Sequence, residues 1–236
     1  MISAQDKRIV CAPELKDIIT SSFFGLSEPL SASMVYREVN PVAVGGRNAA
    51  WFVEHERFSG VLRQYRRGGL IGKLVKQSYW WSGADKTRPW QEFAVMDYLY
   101  QQDFPVPQPL AAMYVRQGFL YKGALITAKI VQAKTLVEYI EHLAPTEFAD
   151  LAAKLTRVIE RMHTLKVNHA DLNAFNILID NQEQIYIIDF DKAKIEPSQG
   201  QWCQANYQRL ERHLLKVLGE RGQQFMVYIR QNLTKI

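Results

Sequence analysis

Apolar positions in "PTEFADLAAKLTRVIERMH", residues 145–163, recur at the three- and four-residue spacing of one helix face: Phe148, Leu151, Ala152, Leu155, Val158, Ile159 and Met162. This is the clearest periodicity in the chain, and it predicts a long amphipathic helix. A second helix is predicted over "TRPWQEFAVMDYLYQQ", with Trp90, Phe93, Ala94, Asp97 and Tyr98 at helical spacing; the proline-rich "DFPVPQP" ends it. Ahead of it, "AAWFVEH" and "GVLRQYRR" read as strands, and "ERFSG" between them closes a hairpin. "GFLYKGALITAKIV" is again strand-like, and near Lys134 the chain crosses into helical territory. After the long helix come a short strand, "QIYIIDFD", and two helical patterns at about residues 202–218 and 221–233. The pattern is that of an α+β chain. A β-rich lobe with one helix precedes an α-rich lobe, and an extended segment near residues 125–132 joins them.

Composition narrows the class without naming a function. A chain of 236 residues, 47% hydrophobic and 22% charged, suits one compact two-lobed domain or two small ones. It contains no apolar run of about 18 residues, so a transmembrane helix is not expected. "MISAQDKRIVCAPELKDII" scatters charge through the N-terminal stretch, which does not read as a secretory signal. Cys11 and Cys203 make neither a disulfide framework nor a CxxC pair, and a reducing, cytoplasmic setting is expected.

The net charge of +5 is unevenly placed. Between Arg57 and Arg88 lie eight basic residues (Arg57, Arg63, Arg66, Arg67, Lys73, Lys76, Lys86, Arg88) against one acidic residue, Asp85. Tyr79, Trp80, Trp81 and Trp90 sit in or beside that stretch. Cations interleaved with aromatics suit an anionic surface, either nucleic acid or lipid headgroups, although a solvated basic face has the same composition.

The chemistry is concentrated in "VNHADLNAFNILID", residues 167–180. A plain strand has no use for so many Asn and Asp residues, and a plain helix disfavours them. His169, Asp171, Leu172 and Asn176 keep the H-x-D-L-x-x-x-N spacing of a kinase catalytic loop. Thirteen residues after Asn176 comes Asp189-Phe190-Asp191, where kinases carry a metal-binding Asp-Phe-Gly. Asp and Asn commonly just cap turns, but two such motifs in this order after a long helix argue against that. Phosphoryl transfer requires a carboxylate beside the attacking hydroxyl, and Asp171 would accept its proton. It also requires a divalent cation on the phosphates of ATP. Hard Mg²⁺ prefers oxygen ligands, which Asp189 and the side-chain oxygen of Asn176 would supply. Leu172 and Ile177-Leu178-Ile179 would anchor the loop, with His169 a structural hydrogen-bonding residue.

Other kinase parts can be sought upstream. "VAVGGRNAAWF" offers Gly45 and Gly46 with Arg47 beside them for a phosphate-covering loop, although Gly-Gly equally suits an ordinary hairpin. "GVLRQYRR" has no lysine where a phosphate-gripping base is expected, so Arg63 is the choice and Arg66 the reserve; Glu92 on the following helix is placed to pair with it. An Arg in that role is a departure, since its planar fork is not interchangeable with an ammonium. A protein kinase is disfavoured. Only 45 residues follow Asp191, no Ala-Pro-Glu comes after it, and Asn173 stands where protein kinases usually place a lysine.

Taken together, "GGRNAAWFV", "VLRQYRRGGLIGKL", "TRPWQEF", "HADLNAFNILID" and "YIIDFDKAKI" resemble the 3-deoxy-D-manno-octulosonic acid (Kdo) kinase group of the bacterial lipopolysaccharide kinase family, over about residues 40–220. The later "WCQANYQRLERHLLK" is similar to that family's C-terminal helix. The resemblance implies a bilobal protein-kinase-like fold, with a nucleotide-binding lobe over residues 1–128 and an α-rich catalytic lobe over residues 129–236. It implies ATP- and Mg²⁺-dependent phosphorylation of a Kdo hydroxyl, at O-4, on the Kdo–lipid A precursor, at the cytoplasmic face of the inner membrane as a peripheral protein. By position, Asp171 would be the base, and Asn176 and Asp189 the metal ligands. Such an acceptor is strongly anionic, which would account for the Arg57–Arg88 stretch without a nucleic-acid partner. A small-molecule or antibiotic phosphotransferase, or a RIO-like kinase, shares the catalytic motifs but leaves that stretch unexplained. A pseudokinase scaffold would be marked by degraded metal ligands, and here all are present.

Overall fold

The computed structural model describes residues 6–27, 30, 34–42, 50–65 and 78–233. It divides into two compact units, Met1–Asp97 with Gln108–Lys129, and Tyr98–Pro107 with Ile130–Ile236. The make-up is α+β, with the antiparallel β-rich unit first and the helical unit second.

The first unit contains β1 (Asp6–Cys11), β2 (Glu38–Pro41), β3 (Ala50–His55), β4 (Phe58–Gln64), β5 (Tyr79–Trp80), α1 (Arg88–Gln101, its last turn in the second unit), β6 (Pro109–Gln117) and β7 (Leu120–Ala128). Among the described residues these strands form one antiparallel sheet in the order β1-β6-β7-β4-β3-β2, with β5 added to β7. The β3–β4 hairpin is tighter than its composition suggests. His55 pairs with Phe58, so Glu56 and Arg57 alone make the turn, and Phe58 and Ser59 belong to the strand.

Strand alternation explains the placement of the functional face. On β4, Leu62 points into the core with Val53, Met113, Ala124, Ile126 and Phe24. Arg63, one residue on, must point to the other face. There α1 lies across the sheet, and Gly123 of β7 allows its close approach: a Cβ at that position would stand 2.7 Å from the Pro89 ring. The buried residues of α1 are Pro89, Glu92, Phe93, Val95, Met96 and Leu99. This differs from the face expected around Ala94 and Asp97, because Met96 and Leu99 offer far more apolar surface than Ala94.

The second unit contains β8 (Lys134–Thr135), α2 (Leu136–His142), α3 (Phe148–Thr164), β9 (Val167–Asn168), β10 (Ile177–Ile179), β11 (Ile185–Ile187), β12 (Lys194–Ile195), α4 (Gln201–Leu218) and α5 (Glu220–Leu233). A reciprocal cap starts α2. Thr135 Oγ1 accepts from the Glu138 amide at 3.2 Å, and the Glu138 carboxylate accepts from the Thr135 amide at 2.7 Å. The long helix α3 buries Phe148, Leu151, Ala152, Leu155, Ile159 and Met162, and packs chiefly on α5, with β9 and β11 beside it. Each fully buried Leu, Ile or Phe contributes about 1.5–3 kcal/mol. Val158 is only half-buried, and the interior positions Thr156 and His163 extend the face instead. Thr156 is satisfied within the helix, donating to Ala152 O at 2.8 Å.

Candidate active site

β9 delivers the chain into the His169–Asn176 loop, and β10 carries it away. The loop is fixed from below by apolar anchors: Leu172, Ala174 and Ile177 are fully buried. His169 is buried as well, with its Nε2 2.9 Å from Ile188 O and its ring against Phe190 at 4.8 Å between centroids. Burial pushes its pKa down, so the ring is neutral and Nε2 carries the proton it donates. It is a strut between the two motifs and not a base.

Two residues of the site lie in the left-handed region without being glycine. Ala170 has φ +52° and Asp189 has φ +63°. At Ala170 the chain folds back so sharply that the Asp171 amide donates to His169 O at 2.6 Å, while the Ala170 amide donates to Asn168 Oδ1 at 3.1 Å. Such conformations cost on the order of 1–3 kcal/mol each and persist where their surroundings enforce them.

That turn sets the backbone of Asp171, and two asparagines clamp it. The Asp171 carbonyl accepts from Asn173 Nδ2 at 3.0 Å and from Asn176 Nδ2 at 3.1 Å. Asn173 Oδ1 in turn accepts from the Phe175 amide at 2.9 Å. The Asp171 carboxylate stays 45% exposed and meets the Lys192 ammonium at 2.9 Å. A carboxylate held by its main chain and open to solvent at its head is suited to receive a proton from a docked hydroxyl.

Asn176 connects this loop to the second motif, since its carbonyl accepts from the Ile188 amide at 2.9 Å, next to Asp189. With Nδ2 committed to Asp171 O, the Asn176 amide presents Oδ1 as its acceptor end. One carboxylate and one amide oxygen fit Mg²⁺, which takes few protein ligands and completes its shell with phosphate oxygens and water. Among the described residues no group of three or more His, Cys, Asp or Glu gathers into a dedicated metal cage. A site shared with phosphates does not require one.

The first unit holds the other expected pair. Arg63 on β4 and Glu92 on α1 are joined in an ion pair in which Glu92 is 1% exposed and Arg63 27%. The Tyr65 hydroxyl also donates to the Glu92 carboxylate, and the Arg63 guanidinium stands 5.0 Å from the centre of the Tyr65 ring. A buried carboxylate must be paired and hydrogen-bonded, and Glu92 is both. Gly45, Gly46, Arg47 and the reserve Arg66 lie outside the described residues, as does the basic run Arg67–Lys76.

Lys192, Tyr65 and Asn173 were not picked out from the sequence as functional partners. Lys192 adjoins the Asp189-Phe190-Asp191 motif, but its proximity to Asp171 depends on strand pairing that spacing does not reveal.

Three comparisons bear on this arrangement. A model of the Lipopolysaccharide kinase (Kdo/WaaP) family matches residues 34–230. A Vibrio cholerae serotype O1 protein named 3-deoxy-D-manno-octulosonic acid kinase is 44% identical over 177 residues, spanning 75% of this chain and 74% of that one. Proteins of the same name from Xylella fastidiosa strain M12 (41% over 183 residues) and Stenotrophomonas maltophilia (40% over 188 residues) each align with 78% of this chain, covering 72% and 73% of their own. Among solved structures, the Cydia pomonella granulovirus kinase PK-1 matches at TM-score 0.48 and 12% identity, over 69% of this chain and 53% of that one.

Proposed function

The chain belongs to the Lipopolysaccharide kinase (Kdo/WaaP) family, phosphotransferases acting on a hydroxyl, and we propose that it transfers the γ-phosphoryl group of ATP to a Kdo hydroxyl, at O-4, on the Kdo–lipid A precursor. The reaction would take place at the cytoplasmic face of the bacterial inner membrane, with the protein bound peripherally; among the described residues no helix is long and apolar enough to cross a membrane. The observation that carries the reading is the Asp171 carboxylate, held by the two asparagine clamps on its own carbonyl and half-exposed at its head.

In this reading Asp171 orients the acceptor hydroxyl and takes its proton as the oxygen attacks phosphorus. Asn176 Oδ1 and Asp189 would hold Mg²⁺, which supplies charge neutralisation on the β- and γ-phosphate oxygens. Arg63, its guanidinium fixed by Glu92, grips the phosphates, and Gly45, Gly46 and Arg47 cover them. The basic and aromatic residues between Arg57 and Arg88 meet the anionic headgroup of the acceptor.

The test is transfer of labelled phosphate from ATP to purified Kdo–lipid A precursor with Mg²⁺. Wild-type protein is expected to label the Kdo sugar, and Asp171→Ala to lose about 10³-fold in rate. Turnover with another acceptor but none with Kdo–lipid would keep the kinase and discard this substrate.

A further inference from the structure

We infer that Lys192 is a cation of the phosphoryl-transfer site, holding the Asp171 carboxylate in register before reaction and donating to the transferring phosphoryl oxygens during it. The inference rests on the reading of Asp171 as base. Its ground is geometry: Lys192 Nζ lies 2.9 Å from Asp171 Oδ2.

The fold builds this contact. After the buried Phe190 a tight turn closes, with the Ala193 amide donating to Phe190 O at 2.8 Å. The chain then runs back as β12 beside β9, pairing Lys194 with Asn168 and Ile195 with Val167. The Glu196 amide extends that pairing to Lys166 O at 2.8 Å. Carrying the register two residues the other way sets Lys192 against Ala170, the strained residue next to Asp171.

The pair has little purpose as a stability device. Lys192 is 61% exposed and Asp171 45%, and ion pairs this open to water contribute little to folding. The loop, meanwhile, lacks a cation of its own. Asn173 occupies the position where protein kinases place a lysine, and both ends of its amide are committed to backbone groups of the loop. Lys192 therefore brings the missing positive charge from the neighbouring motif. As the acceptor oxygen bonds to the γ-phosphorus, the bond to the β,γ-bridging oxygen breaks and ADP leaves with that electron pair. The hydroxyl proton passes to Asp171. Negative charge is then spread over the transferring oxygens, and an ammonium beside the base is placed to meet it.

Lys192→Met and Lys192→Arg are to be compared with Lys194→Met, which alters a neighbouring exposed lysine outside the site. Turnover of Kdo–lipid A precursor and acceptor-independent hydrolysis of ATP are measured for each, together with thermal stability. Lys192→Met should lose about 10²-fold in kcat with KM for ATP changed less than about threefold. Lys192→Arg should recover most of that loss, Lys194→Met should match wild type, and all should melt alike. Lys192→Met turning over at the wild-type rate would overturn the proposal, as would a loss confined to KM. If wild type ignores Kdo–lipid yet hydrolyses ATP, the acceptor assignment fails, while the hydrolysis ratio of Lys192→Met to wild type still decides the role of Lys192.

Discussion

Two carboxylates in this protein each face a basic side chain, and their surroundings suit them to opposite uses. Glu92 is 1% exposed and enclosed by Arg63 and the Tyr65 hydroxyl. Asp171 is 45% exposed, and the contact from Lys192 leaves the rest of its head to solvent. Sealing a carboxylate in with its partners makes it a fixed post whose loss damages the fold. Clamping only its main chain and leaving its head in solvent suits it to be a reagent. Burial, more than pairing, separates the two roles.

That contrast can be broken at several points. Asp171→Asn should show the largest effect, a fall of about 10³-fold or more in turnover with the melting temperature unchanged. A matching loss of stability would mean that the two carboxylates are not so different. Arg63→Met takes a cation away from the buried Glu92 carboxylate and should cost about 3–5 kcal/mol in denaturant unfolding. Adding Glu92→Leu should restore stability but not activity, and an unrestored double variant would count against the post reading. Tyr65→Phe, which removes one donor to the same buried carboxylate, should cost about 2 kcal/mol.

The smallest effect is a pH dependence. Burial lowers the pKa of His163, His169 and His213 below the ordinary imidazole value. The folded protein therefore prefers them neutral, and as pH falls the unfolded chain takes up protons first. Stability should be full above about pH 6.5 and decline progressively below it. Thermal melts at pH 7.5 and 5.5 check this, and a melting temperature that rises on acidification would contradict it.

Much of the site could be read from the sequence because its chemistry fixes residue type along short continuous stretches. Asp171, Asn176 and Asp189 lie on two segments joined by one hairpin, and the structure links those segments through the Ile188–Asn176 hydrogen bond. Arg63 and Glu92 could be paired in advance because a strand and the helix after it offer few ways to bring opposite charges together. Lys192 was hidden because its placement follows from the β9–β12 register, a long-range fact that local pattern does not encode. β6 escaped notice for a different reason. It lies inside the sheet between β1 and β7 with its first seven residues all buried, so "PLAAMYVRQ" has no polar alternation to mark it. The face of α1 was misjudged because helical spacing alone weighs Ala94 equally with Met96. Gly45, Gly46 and Arg47 fall outside the described residues, and their role rests on the sequence.

The way α1 begins in one unit and ends in the other bears on synthesis at the ribosome. Residues Tyr98–Pro107 belong to the second unit, where Gln102 O accepts from Arg161 and Pro105 O from the Ile187 amide at 3.1 Å. Those donors are translated some 60 to 80 residues later, a delay on the order of ten seconds at ordinary elongation rates. The first unit needs only residues up to Lys129 to close, so it can fold while this short segment still waits for its partners. A fragment beginning at residue 130 would lack the segment altogether and leave the Ile187 amide, two residues before Asp189, without its acceptor.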